Sequence, residues 1–259
     1  MKVVIFAGGL GTRLMEETEA RPKPMVEIGG MPILWHIMKI YSHYGYNDFI
    51  ICLGYKQQMI REFFINYYFN HSDLTIDLET NTTEIINSSK EKFKVTLVDT
   101  GLSTNTAGRL KRIKDYVKNE PFMLTYGDGV SDININDLVE YHSTKNKLVT
   151  LTSIQLPGKF GNLDIDSQGN VIRFIEKPED EGVWINGGFM VLEPEIFNYL
   201  NDDMDDIQWE KGPLIQLTND DKVCTYKYHG FWKCMDALRD KIELEDLWNM
   251  GEAKWKKWD

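Results

Sequence analysis

At 259 residues with 42% hydrophobic and 12% aromatic side chains, the chain has the composition of a packed globular protein of one large domain, which excludes wholesale disorder. Its formal net charge of −11 excludes nucleic acid as the main partner, because a phosphate backbone needs a basic face, but leaves room for a small phosphorylated ligand where cations cluster. No apolar run approaches the ~20 residues of a membrane span, and Val3-Val4-Ile5-Phe6-Ala7 is too short for the core of a secretory signal, so a cytoplasmic protein without membrane contact is expected.

Along the chain, short β-branched or aromatic runs alternate with helical patterns, the arrangement of a parallel sheet flanked by helices. Lys2 to Ala7 reads as a buried strand. Pro32 to Tyr44 carries Ile33, Leu34, Ile37, Met38 and Tyr41 at helical spacing, with the proline suited to a first turn. Phe49 to Leu53 gives a second strand and Gln57 to Tyr68 a second amphipathic helix. The polar stretch from Asp73 to Lys94 reads as a loop or irregular hairpin. A strand over Val95 to Val98, a helix over Gly108 to Val117, and strands over Phe122 to Tyr126 and Leu148 to Gln155 follow. Alternation from Asn162 to Ile175 around Ser167-Gln168-Gly169-Asn170 predicts a hairpin, and a helix from about Asp236 to Trp248 closes the pattern. With no repeat or linker, the expectation is one Rossmann-like α/β domain over 1–259, a mostly parallel sheet with an added hairpin and a mixed C-terminal part.

The first strand runs straight into Phe6-Ala7-Gly8-Gly9-Leu10-Gly11-Thr12-Arg13-Leu14. Glycines there let the backbone turn sharply and bring bare N–H groups to phosphate oxygens; Thr12 adds a hydroxyl and Arg13 a bidentate fork. A Walker loop would need Lys-Ser/Thr after the last glycine, and a dinucleotide fingerprint would need glycine or alanine where Leu14 stands, so both fail on spacing. A plain glycine turn remains open on this run alone. Downstream, Arg21-Pro22-Lys23-Pro24-Met25 is a proline-stiffened loop with two cations. Arg13, Arg21 and Lys23 together give a net-acidic protein a cationic mouth above its first strand. Cys52, Cys224 and Cys234 lack the spacing of a zinc site and read as reduced thiols.

The run Gly8-Gly9-Leu10-Gly11-Thr12-Arg13-Leu14 followed by Lys23-Pro24-Met25 closely resembles the signature of the sugar-nucleotide pyrophosphorylases, nucleotidyltransferases that join a sugar 1-phosphate to a nucleoside triphosphate and release pyrophosphate. The resemblance implies the nucleotide-diphospho-sugar transferase fold, with about 1–155 as the nucleotide-binding half and about 156–259 as the sugar-phosphate-binding and C-terminal part. It implies that Phe6 through Arg13 wrap the nucleotide phosphates. Arg13 and Lys23 become the catalytic cations, which offset charge as pyrophosphate departs.

Nucleotidyl transfer asks a protein mainly for alignment and for a cation over the reacting phosphates. Asp128, between Gly127 and Gly129 at a strand end, suits a Mg²⁺ ligand or an ordinary Asp-Gly turn. Asp236, after Phe231-Trp232-Lys233-Cys234-Met235, suits a ligand or a helix N-cap. The resemblance makes Asp128 and Asp236 the Mg²⁺ pair and adds Gly127 to the nucleotide site; nothing in their spacing pairs them. Phe174-Ile175-Glu176-Lys177-Pro178 and Trp184-Ile185-Asn186-Gly187 similarly resemble the family's sugar-phosphate site. Lys177 would then hold the phosphate, with Glu176, Asn186, Gly187 and Gly161 around the hexose.

Lys23-to-Gly30, Pro32-to-Met38, Val98-Asp99-Thr100-Gly101, Gly108-to-Arg112 and the Trp-rich tail resemble the family's cytidylyltransferase branch, which acts on CTP and glucose 1-phosphate. This implies Thr104 against the base or ribose and Arg109 donating to the cytosine carbonyl or to a phosphate. Gly108-Arg109-Leu110-Lys111-Arg112 also reads as an exposed basic helical turn, and Ala107 departs from the glycine of the branch. The branch further implies a homo-oligomer, a hexamer being among the forms it allows, and a place in O-antigen and lipopolysaccharide synthesis supplying CDP-glucose. Rival readings are a uridylyl- or thymidylyltransferase on the same fold, a non-catalytic nucleotide-sugar sensor, and a nicotinamide-dependent enzyme, against which the broken fingerprint speaks.

Overall fold

The computed structural model describes residues 1–258 apart from 12–13, 89–90, 157–161 and 176–182. In chain order the elements that position the site are β1 (Val3–Phe6), α1 (Ile33–His43), β2 (Asp48–Leu53), α2 (Gln57–Ile65), β3 (Lys94–Asp99), α3 (Thr106–Arg112), β4 (Phe122–Tyr126), α4 (Ile135–Ser143), β5 (Val149–Gln155), β6 (Trp184–Leu192), β7 (Val223–Tyr228) and α5 (Leu238–Asn249). Among the described residues they build a seven-stranded sheet in the order β7-β5-β6-β4-β1-β2-β3. Pairing is parallel throughout except at β6, which runs antiparallel to both β4 and β5. Strands from both halves of the chain therefore enter one sheet.

The two-residue period of a strand splits β1 between two cores. Val3 and Ile5 pack with α1 residues Ile33, Leu34, Ile37 and Tyr41, whereas Val4 and Phe6 pack on the other face with Ala107, Leu110 and Trp209. All of these side chains are buried, the larger aliphatic ones and Phe6 each contributing on the order of 1.5–3 kcal/mol. Burial on both faces explains the unbroken apolar run of β1.

The structure refines several expectations. The polar stretch after Ser72 is an antiparallel hairpin of Ser72–Asp77 on Thr82–Ser88. The helix expected over 108–117 is two short ones, α3 and Lys114–Val117, divided at Ile113. α4 was not expected: its signal is Asn134, whose side chain accepts from the N–H groups of Asn136 and Asp137, with Ile135, Leu138 and His142 buried. No helix among the described residues is long and apolar enough to cross a membrane.

Candidate active site

The carboxyl ends of β1 and β4 open onto a cleft of about 310 Å³. Phe6, Ala7, Gly8, Gly9 and Gly11 line it together with Lys23, Pro24, Thr104, Asn105, Thr106, Arg109, Tyr126, Gly127, Asp128 and Asp236. Leu10 is not among these residues and is 56% exposed. Thr12 and Arg13 lie outside the described residues. Gly8 is needed for a close approach, since a Cβ there would stand 2.2 Å from Arg109 Nη1. The Arg109 guanidinium is buried and donates to Leu53 O, Thr100 Oγ1, Gly101 O and Gly8 O, so it braces three loop ends beneath the glycine turn instead of presenting a free fork. Thr104 is likewise buried, its hydroxyl accepting from Arg112.

Two turns of chain that the sequence alone could not pair meet at the mouth of this cleft. The strand Gly129–Ser131 follows Asp128 and pairs antiparallel with Trp232–Cys234, setting Cys234 opposite Gly129. The Met235 N–H then donates to Asp128 O at 2.9 Å, which delivers Asp236 beside Asp128. Lys23 arrives from a tight turn over Lys23–Met25 in which Pro22 O accepts from Met25 N and Pro24 is buried. Pro24 packs so near the end of β4 that a Cβ on Gly127 would lie 3.1 Å from its Cγ and 2.8 Å from Phe6 O. The Lys23 ammonium donates to Asp128 Oδ2 and to Asp236 Oδ1, both at 2.7 Å. Burial by itself lowers a lysine pKa, but the Asp128 charge and the two hydrogen bonds outweigh it and hold Lys23 above its ordinary value.

Asp128, Cys234 and Asp236 each bring one ligand atom within 4.8 Å of the others. The ammonium already between the carboxylates marks the spot as one that holds positive charge. A hard divalent cation fits the two carboxylates, leaving its remaining positions to phosphate oxygens and water. Burial, with the Asp128 charge behind it, raises the Cys234 pKa, so the sulfur is a protonated thiol and a poor partner for such an ion.

A second cleft of about 490 Å³ shares Tyr126, Asp128 and Asp236 with the first and is otherwise lined by Asn186, Gly187, Gly188, Glu210, Trp232, Cys234 and neighbours. Asn186 and Gly187 sit on β6, where Trp232 Nε1–H donates to Gly187 O at 2.7 Å and ties the strand to the aspartate hairpin. Gly161, Glu176 and Lys177 lie outside the described residues. Sequence reasoning missed Tyr126, Thr106, Glu210 and Trp232 as site residues. For Trp232 the signal was present in Phe231-Trp232, four positions before Asp236; for Glu210, in Ile207-Gln208-Trp209-Glu210, nothing marked it.

Residues 2–233 match the model of the nucleotidyl transferase family. The chain belongs to that family. Within it, the chain is 51% identical to the glucose-1-phosphate cytidylyltransferase of Salmonella typhi over the whole of both chains. It is 44% identical to a probable glucose-1-phosphate cytidylyltransferase of Bacillus subtilis, again over the full length of each. Among solved structures, a putative glucose-1-phosphate thymidylyltransferase from Bacillus anthracis superposes with a TM-score of 0.69 at 17% identity, covering 100% of this chain and 97% of that one. A UDP-glucose pyrophosphorylase bound to UDP-glucose gives 0.68 at 16% identity, covering 96% and 98%. These likenesses establish the shared fold.

Proposed function

We propose that this chain transfers a cytidylyl group from CTP to α-D-glucose 1-phosphate, yielding CDP-glucose and pyrophosphate, with Mg²⁺ held by Asp128 and Asp236. The observation that carries the reading is the Lys23 ammonium seated between those two carboxylates where the two clefts meet. Full-length identity to relatives named as cytidylyltransferases supports the choice of base and sugar.

In this reading the nucleotide lies in the cleft of the glycine turn, with Thr104 and Arg109 behind it, and the sugar phosphate lies in the cleft of Asn186 and Gly187. A phosphate oxygen of the sugar attacks the α-phosphorus in line, and the bond to the bridging oxygen of the leaving pyrophosphate breaks. The nucleophile comes with the substrate, so alignment and charge compensation are the protein's tasks. Gly8, Gly9 and Gly11 present backbone N–H groups to the phosphates. Lys23, released from the carboxylates, offsets charge on the leaving group, helped by Arg13. Lys177 fixes the attacking phosphate, and Glu176, Gly161, Asn186 and Gly187 bound the hexose. Mg²⁺ held by Asp128 and Asp236 would supply charge neutralisation at the reacting phosphates.

Self-association belongs to the same reading. The exposed Ile65, Tyr68 and Phe69, beside an apolar hollow on the sheet's outer strand β3, offer it a face.

The test is pyrophosphate release from glucose 1-phosphate and Mg²⁺ with CTP, UTP, dTTP, ATP and GTP in parallel. Strong preference for CTP is expected. Preference for UTP or dTTP would keep the chemistry and overturn the base assignment, and inactivity of folded protein with every nucleotide would overturn both.

A further inference from the structure

Among the described residues, one side chain besides the two aspartates forms part of both clefts. Tyr126 closes β4, and its ring is packed so tightly against Gly188 that a Cβ there would stand 2.7 Å from Tyr126 Cδ2. Its hydroxyl donates to Glu210 Oε1 and accepts from Asn186 Nδ2 at 3.4 Å. The other oxygen of Glu210 accepts from Thr106 Oγ1 at 2.9 Å. One half-buried carboxylate thus links the start of α3, on the first cleft, to the partition and to the sugar-side strand β6.

Glu210 is itself anchored. The Asn105 N–H donates to Asp205 O at 2.6 Å, the Ala107 N–H to Ile207 O at 3.1 Å and the Trp209 N–H to Thr106 Oγ1 at 2.7 Å. Residues 205–210 therefore run beside 105–107 as a hydrogen-bonded pair of segments. Trp209, fully buried in the second core, fixes the segment from behind. Nothing in the transfer chemistry described above uses Glu210, yet both its oxygens are held by residues of the two clefts.

We propose that Glu210 is a positioning residue, whose carboxylate holds Tyr126 as a rigid partition and locks the Thr104–Thr106 wall to Asn186 so that the two substrates meet in line. The proposal rests on the reading that one cleft takes the nucleotide and the other the sugar phosphate. Glu210 acts through Tyr126 and Thr106, so its loss disturbs alignment more than the affinity for either substrate. Misplacing reacting groups by about 1 Å costs up to ~10²-fold in rate.

The experiment compares steady-state pyrophosphate release and thermal unfolding for wild type, Glu210→Ala, Glu210→Gln, Tyr126→Phe and the Glu210→Ala/Tyr126→Phe double variant. Glu210→Ala and Tyr126→Phe are each expected to lower kcat by ~10- to 100-fold, with KM for CTP within ~3-fold of wild type. Glu210→Gln should recover most of the rate, since its amide oxygen accepts from Tyr126 and its N–H group reaches the Thr106 hydroxyl. The double variant should be no slower than either single one, because both break the same link. Wild-type kcat in Glu210→Ala, a Glu210→Gln variant as slow as Glu210→Ala, or single losses that multiply in the double variant would each overturn the proposal. Should Glu210→Ala fail to fold, Tyr126→Phe, which deletes one oxygen, decides on the same kcat and KM. A wild-type enzyme silent with every nucleotide would bring down the functional reading and this proposal together, whereas an active wild type indifferent to these changes brings down this proposal alone.

Discussion

At the scale of single residues, Lys23 meets the carboxylate oxygens of Asp128 and Asp236 that the proposed function gives to a divalent cation, so in that reading ammonium and cation compete for them. Replacing Lys23 by methionine removes one competitor and one phosphate partner together. Turnover is expected to fall ~10²–10³-fold, the usual cost of deleting a charge-stabilising donor from an active site. At the same time the thermal midpoint of Lys23→Met should rise with added Mg²⁺ more steeply than that of wild type, because stabilisation grows with the ratio of free ion to dissociation constant. Near-normal turnover would remove Lys23 from the chemistry, and an unchanged response of the midpoint would remove the competition. The folded-state pKa of Lys23 is raised, so on the lysine side the stability this pair contributes is full below 10.5 and is lost as pH rises from 10.5 through the still higher folded value. Lys23 was legible in the sequence because its prolines are local. Arg109 was legible as a residue of the cleft but not in its bracing contacts, which depend on carbonyls from three separate loops.

At the scale of elements, the approach of Asp236 to Asp128 depends on how α5 begins. The sequence offers Asp236 as a possible N-cap, but the cap position is Ala237, which has no side-chain acceptor. Asp240 takes over: its Oδ2 accepts from Ala237 N at 2.8 Å and from Asp236 N at 3.1 Å. This is half of a capping box, turned to fixing the backbone of a proposed metal ligand. Asp240→Ala is expected to cost ~1 kcal/mol in stability, as lost caps do, and to raise the Mg²⁺ concentration needed for half-maximal turnover. Asp240→Asn keeps an acceptor oxygen and should restore both. Denaturant unfolding and a Mg²⁺ titration check this; a wild-type unfolding midpoint in Asp240→Ala would refute the capping role. The pairing of Trp232–Cys234 with Gly129–Ser131 was beyond sequence reading, because three residues are too few to display a period and the partner lies about a hundred positions away.

At the scale of the whole molecule, strands β1 to β5 and the helices α1 and α2 were legible because their apolar runs and helical spacings are strong. The antiparallel insertion of β6 between β4 and β5 was not, since its neighbours are set by tertiary contacts rather than by its own pattern. The C-terminal tail was legible only as Trp-rich. In the structure Trp248, Trp255 and Trp258 pack edge-on or tilted around His36, joining the C-terminal tail to α1. His36 is fully buried; its Nε2–H donates to Ile28 O at 2.8 Å, and Nδ1 accepts from Trp255 Nε1–H at 3.4 Å. A second ring proton would point at the Trp255 donor. Burial therefore lowers the pKa from 6.5 to about 4, against the opposing pull of the Ile28 carbonyl. For a base with a depressed folded pKa, the unfolded chain binds the proton first. The stability that neutral His36 contributes is then complete above 6.5 and is lost as pH falls from 6.5 towards about 4. Between pH 7.5 and 5 this amounts to about 2 kcal/mol. His36→Gln keeps an N–H for Ile28 O but cannot titrate, so its denaturant-unfolding free energy should fall by about 2 kcal/mol less than that of wild type over the same interval. Equal pH slopes in the two proteins would mean that His36 is protonated as readily inside the tryptophan cluster as in water.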